Sequence, residues 1–163
     1  MHNLLFHIDS RCLHGQVIAG WGVQEQIKRF LLANNEVAAD DWERNQYLAA
    51  PGSEFETHVT SIEEAIRLLQ EWKDDKKTML VLRSPHDALR ILDGGFVPER
   101  ITVGNLDPGA GKKELSPSVF ATGHEQRDLL ELLRRGVQVF LQPLPSSRPI
   151  PLSAGDLTTD EHR

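Results

Sequence analysis

Thr78-Met79-Leu80-Val81-Leu82 runs straight into Arg83-Ser84-Pro85 and then His86-Asp87-Ala88-Leu89-Arg90-Ile91-Leu92, closed by Gly94-Gly95. A short apolar run without alternation reads as a strand buried on both faces. Ser84-Pro85 supplies a helix cap and a first-turn proline, and the glycine pair supplies a stop. Reading outward in both directions, the same unit recurs. Leu4 to Ile8, Phe30 to Ala33, Arg100 to Val103 and Val137 to Leu141 read as strands, with Phe55 to Val59 a weaker one. The spacing predicts helices over 15–27, 37–49, 61–69, 84–92 and 123–135. Ser61 followed by Glu64 fits a capping box for the third of these. Continuous apolar strands alternating with helices imply a single α/β domain, a three-layer α/β/α arrangement around a mainly parallel central sheet.

The length of 163 residues fits one domain, and a domain of this size buries roughly 70% of its unfolded surface. A net charge of −6 argues against general nucleic-acid binding, while leaving room for a local anion site. One cysteine excludes an internal disulfide. The apolar stretch at the N-terminus is interrupted by Asp9, so neither a signal peptide nor a membrane span is expected, and the location expected is cytoplasmic. The final stretch holds four prolines among polar residues. It divides the chain into a domain over 1–145 and an extended or disordered tail over 146–163. The Gly- and Lys-rich segment Gly109-Ala110-Gly111-Lys112-Lys113 lacks nucleotide-loop spacing and reads as a mobile surface loop, its lysines available to an acidic partner.

Ligands of open α/β sheets bind at the carboxyl ends of the strands. Among the loops found there, Asp9-Ser10-Arg11-Cys12-Leu13-His14-Gly15-Gln16 sets a carboxylate, a guanidinium and an imidazole before a helix start. Unpaired N–H groups and the dipole at a helix start favour an anion. Gly15 allows close backbone approach, Arg11 can grip phosphate with two bonds, and His14 offers a nucleophilic nitrogen near neutral pH. A histidine before glycine is also a common capping or packed residue, and spacing alone does not choose between the two.

The segment from His7 to Val17, with Trp21 after it, resembles the opening motif of the IIB subunits of the mannose/fructose/sorbose family of the sugar phosphotransferase system. That motif runs arginine, β-branched aliphatic, aspartate, any residue, arginine, two apolar residues, then His-Gly-Gln-Val. The likeness continues at Asn34-Asn35-Glu36-Val37-Ala38, at Arg83-Ser84-Pro85, at Val103-Gly104-Asn105 and at Leu132 to Val137. It implies a phosphocarrier, in enzyme terms a protein-Nπ-phosphohistidine–sugar phosphotransferase. His14 would take phosphate from a IIA domain and pass it to a sugar imported by the IIC and IID membrane subunits. Arg11 would be the catalytic partner. Asp9, Cys12, Leu13, Gly15, Gln16, Ser84 and Asn105 would bind or support the phosphate, Asp9 by orienting Arg11 or the loop. The resemblance requires no metal and no cofactor, implies peripheral association with the transporter, and is compatible with a homo-oligomer.

Three positions depart from the family pattern. His7 stands where the first arginine does, where a protonated imidazole could stand in at low pH; Asn35 replaces aspartate; the tail is proline-rich. A regulatory phosphoprotein, or an anion-binding domain without covalent chemistry, is the alternative. Cys12 is either a reactive thiolate or a small buried hydrophobe, and the second is preferred. His2, His58, His86, His124 and His162 lack ligand-spaced partners, and His7 with His14 lacks a third ligand, so no zinc site is expected. Trp21, Trp42 and Trp72 are expected to pack in or at the edge of the core. A carrier served by a partner's histidine needs His14 in an exposed ring rather than a deep pocket.

Overall fold

A computed structural model describes residues 3–158. Strands β1 (Leu4–Asp9), β2 (Arg29–Ala33), β3 (Glu56–Thr60), β4 (Thr78–Leu82), β5 (Arg100–Asn105), β8 (Gln138–Leu141) and β9 (Ile150–Pro151) form one sheet in the order β3-β2-β4-β1-β5-β8-β9. All pair in parallel except β9, which runs antiparallel to β8. Because strand side chains alternate, each strand feeds two cores. Phe6, Ile8, Leu31, Leu80, Leu82, Ile101 and Val103 meet helices α3 (Ile62–Glu71), α4 (Pro85–Asp93) and α5 (Gly123–Arg134) on one face. Phe30, Leu32, Met79 and Val81 meet Leu13, Val17, Trp21 and Val37 on the other. That second face is covered by a π-helix (Gln16–Val23) and by the short helices α1 (Asn35–Ala39) and α2 (Asp41–Ala49). This is the three-layer α/β/α arrangement expected.

The differences lie where local chemistry overrides periodicity. The helix expected over 15–27 winds as a π-helix and ends at Val23, which is exposed; Ile27 is buried beyond it, its N–H reaching Gly22 O. The helix expected over 37–49 breaks at Asp40, whose extended backbone lets its carboxylate cap Glu43. Ser61 does cap Glu64 N, but the Glu64 side chain turns to Arg67. Trp42 is 72% exposed rather than packed, because α2 rests on the body through Tyr47 and Leu48. Lys113 belongs to a hairpin, β6 (Lys113–Ser116) with β7 (Val119–Ala121), that the sequence reading left irregular.

The tail is a correction as well. Its described part is neither loose nor separate: β9 extends the sheet, and Leu152 and Leu157 are buried. Leu152 N donates to Val139 O at 2.8 Å, and Thr158 N donates to Gln126 Oε1 at 2.7 Å. Prolines tolerate an edge strand because one side of its backbone needs no donor. Residues 159–163, like His2 and His162 from the metal argument, lie outside the described residues.

Candidate functional site

The site begins where β1 runs out. Pairing with β5 jumps from Ile8–Val103 to Asp9–Asn105, skipping Gly104, and such an irregularity re-aims the strand end. The chain then turns: Cys12 N donates to Asp9 O at 2.9 Å, and Arg11 N donates to Asp9 Oδ1 at 2.8 Å. This side-chain-to-backbone turn is what aspartate does well. Cys12 takes a φ of +62°, which costs a non-glycine residue about 1–3 kcal/mol. Full burial of Cys12 and near-full burial of Leu13 hold it there. The effect is to sink Cys12 and Leu13 into the core while Arg11 and His14 stay at the surface.

Asn105, from the end of β5, latches the loop. Its Nδ2 donates to Ser10 Oγ at 2.8 Å, and its carbonyl accepts from Ser10 N at 3.0 Å. Tyr47 of α2 donates to Arg11 O at 3.3 Å. Tyr47 went unrecognised in the sequence; an aromatic on an otherwise polar helix was the only trace of it. Burial pushes the Tyr47 phenol up to about 12 and the Cys12 thiol up to about 11. Full burial and a raised pKa both favour the neutral thiol, the state of a small buried hydrophobe.

Asp9 is the hub. Its Oδ2 accepts from His14 Nε2 at 2.8 Å and from Arg11 Nη2 at 3.3 Å; its Oδ1 accepts from Arg11 Nε at 3.3 Å. Burial works against its charge, but the bonds from His14 and Arg11 outweigh that and hold the carboxyl below the usual range. An ionised carboxylate only accepts, so the His14 proton sits on Nε2 and the lone pair on Nδ1. Nδ1 faces the Gln16 N–H at 3.4 Å, at the start of the π-helix. The His14 side chain is 21% exposed, ringed by exposed Arg11, Gly15 and Gln16. Gly15 has an ordinary helical φ of −51°, and a Cβ there would meet nothing within 4 Å of the protein. Its smallness thus keeps the space above the loop open rather than relaxing the turn.

Of the expected set, the structure brings together Asp9, Arg11, Cys12, Leu13, His14, Gly15, Gln16 and Asn105. Ser84 caps α4 as expected of a serine before Pro85, its hydroxyl accepting from Asp87 N at 3.2 Å, and Arg83 beside it pairs with Glu43 at 3.6 Å. His7 fits the expectation of a charge confined to low pH. It is wholly buried, and burial pushes its pKa down to about 4, so it adds no positive charge near neutral pH. Among the described residues no cluster of three or more His, Cys, Asp or Glu is placed to hold a metal. No helix among them is long and apolar enough to cross a membrane. A cavity of ≈ 750 Å³ lined by Leu5, Trp21, Phe96, Arg100 and Thr102 lies at the other end of β1 and β5; the His14 loop does not line it.

The chain is similar to known proteins along most of its length. The N-acetylgalactosamine-specific phosphotransferase enzyme IIB component 1 of Escherichia coli K12 is 29% identical over 146 residues, 89% of this chain and 92% of that one. The sorbose-specific EIIB component of Klebsiella pneumoniae is 26% identical over 147 residues, 90% of each. The mannose-specific EIIAB component of E. coli K12 is 28% identical over 138 residues, 83% of this chain but 42% of that longer protein. The crystal structure of the E. coli N-acetylgalactosamine-specific IIB component 1 superposes with a TM-score of 0.82 at 26% identity, covering 93% of this chain and all of that one. That of the K. pneumoniae IIBSor domain, 24% identical, shares the fold with a TM-score of 0.85 over 94% and 95% of the two chains. The family described as PTS system sorbose subfamily IIB component matches residues 3–159, and the chain belongs to it.

Proposed function

We propose that this chain carries a phosphoryl group on His14 Nδ1, taking it from a IIA domain and passing it to a sugar entering through IIC and IID membrane subunits. The observation that carries the reading is the 2.8 Å bond from His14 Nε2 to Asp9 Oδ2, which leaves Nδ1 as the free nucleophile at the mouth of the loop. As Nδ1 attacks, the donor's P–N bond breaks and a new one forms, with no proton moved, because Nε2 keeps its own. Positive charge develops on the ring, and the Asp9 carboxylate stabilises it through that bond.

Arg11 supplies the grip. Its bonds to Asp9 are long, at 3.3 Å, and its side chain is 40% exposed, so it is free to turn its fork to phosphoryl oxygens. The Gln16 N–H and the helix start add donors at the same place. Phosphoryl transfer with a loose transition state needs mainly such positioning and charge. A partly exposed His14, at the mouth of a loop whose neighbours are exposed, suits a protein-borne donor, which must bring its own phosphohistidine within reach. The names of the relatives point the same way: one is a joined EIIAB component. On this reading the protein works in the cytoplasm at the face of a membrane transporter. Incubation with the general phosphotransferase proteins and a cognate IIA domain tests it. Acid-labile, base-stable phosphate should appear on wild type and not on His14→Ala; equal labelling of both would end the proposal.

A further inference from the structure

His7 is left unused by that chemistry, and its surroundings are unusual. It lies beneath Asp9 on the same face of β1, with no exposed surface and its ring 4.9 Å from that of Trp21. Thr102 Oγ1 stands 2.6 Å from Nδ1 and 3.4 Å from Phe6 O; with its own proton given to Phe6 O it accepts from His7, the arrangement that puts the ring proton on Nδ1. Nε2 is then a bare lone pair, and among the described residues it has no partner. It lies 2.6 Å from the point a Cβ on Gly104 would occupy, and Asp9 Oδ2 lies 3.4 Å from that same point. Both acceptors thus border the space beside Gly104, and Nε2 has no donor within hydrogen-bond reach among the described residues. Buried polar atoms are rarely left so, and such a vacancy calls for a function.

Resting on the reading of His14 as the carrier, we propose that His7 Nε2 is a proton seat that fills when His14 is phosphorylated. The trigger is Arg11. Unloaded, Asp9 is balanced by the Arg11 guanidinium and the His14 N–H. Loaded, Arg11 turns to the phosphoryl oxygens and the His14 ring, keeping its Nε2 proton, becomes the cation on Asp9; the negative charge of the phosphoryl group exceeds that one positive charge, so the site as a whole turns more negative. One proton from solvent then adds to His7 Nε2, forming an N–H directed at Asp9 and leaving the Nδ1–H bond to Thr102 in place. The charged or titratable groups acting on His7 are Asp9, which favours the proton, and His14 and Arg11, which oppose it. Departure of Arg11 removes one of those opponents. The neighbours from other elements do not ionise: Thr102 and Gly104 of β5, Val81 of β4 and Trp21 of the π-helix. His7 would then be a positioning residue, holding Asp9 on His14 in the loaded state.

The test is nitrogen NMR of the full chain with ¹⁵N-histidine, before and after phosphorylation by a IIA donor, with incorporated phosphate measured on the same sample. Expected is a His7 Nε2 that resonates as an unprotonated nitrogen before loading and as an N–H after it. The phosphorylation equilibrium of wild type should fall about tenfold per unit rise in pH where His7 changes charge, and His7→Phe should lose that dependence. Incorporation with His7 Nε2 still unprotonated overturns this inference and spares the His14 reading. Failure to incorporate phosphate from an active donor overturns both.

Discussion

Replacing Asp9 by asparagine changes one atom and should disable the nucleophile. The carboxylate has two jobs: Oδ1 accepts from Arg11 N at 2.8 Å, and Oδ2 accepts from His14 Nε2 at 2.8 Å. An asparagine can keep its oxygen on Arg11 N only by turning its NH₂ toward His14. The imidazole must then present Nε2 as the acceptor and move its proton to Nδ1, the atom meant to attack. Flipping the amide restores the histidine but sets two donors against each other at Arg11. Either way a charge-assisted hydrogen bond is lost, worth about 1.5–3 kcal/mol. On a step that needs Nδ1 free, that is about 10- to 150-fold in rate. Rapid-quench transfer from a phosphorylated IIA donor reads this directly, and ³¹P NMR of the product reads the isomer. Asp9→Asn should be slow and should shift a share of label to Nε2. A rate within twofold of wild type, with label only on Nδ1, would refute the assignment of Asp9 as the group that fixes the tautomer.

Arg11→Ala should slow the same transfer by about 10- to 100-fold, from the loss of one bidentate cation, with Arg11→Lys in between because a lysine lacks the fork; equal rates for Ala and wild type would remove Arg11 from the site. Ending the chain after Arg148 deletes β9 and the buried Leu152 and Leu157, so urea unfolding should lose about 3–6 kcal/mol. An unchanged midpoint would return that segment to the status of a loose tail. Acid should weaken the far end of the sheet, where Glu56 binds Arg29, His58 and Lys76. Burial opposes its charge, yet those bonds lower its pKa from 4.5 to about 2. A depressed carboxyl stabilises above its unfolded pKa, so this contribution is whole near neutrality and fades as pH falls from 4.5 toward 2. Glu56→Gln should flatten that part of the pH–stability curve, and an unaltered slope would exclude the network as its source.

The layers were legible because burial on both faces leaves unbroken apolar runs such as Thr78–Leu82, and because Ser84-Pro85 and Gly94-Gly95 bracket a helix by local rules. Caps that bond within three residues are written in the sequence; contacts across the chain are not. The tail shows this. Its prolines read as disorder, while the partners that fix it, Val139 and Gln126, lie outside any local window. The π-winding of residues 16–23 escaped because apolar spacing does not register one extra residue per turn; the cap at Asp40, though local, was hidden inside a stretch that reads as one longer helix.

At the site, Arg11, His14, Gly15 and Gln16 were readable as an anion-binding loop from residue type and position. The role of Asp9 was half readable: it does orient Arg11, but its bond to His14, and with it the choice of ring nitrogen, depends on the skipped pairing at Gly104. For His7 the sequence carried the limit to low pH but not the reason, its complete burial, which makes it a neutral acceptor near neutral pH. Ser84 matched a motif whose hydroxyl serves the helix behind it.

The central claim rests on a single atom, so the decisive measurement locates the phosphate. Wild-type protein loaded from a phosphorylated IIA donor and examined by ¹H–³¹P correlation, with peptide mapping kept at alkaline pH, should show one phosphohistidine, at residue 14, bonded through Nδ1. Phosphate on His86, His124 or any other residue, or on His14 through Nε2, would contradict the account built on the Asp9–His14 bond.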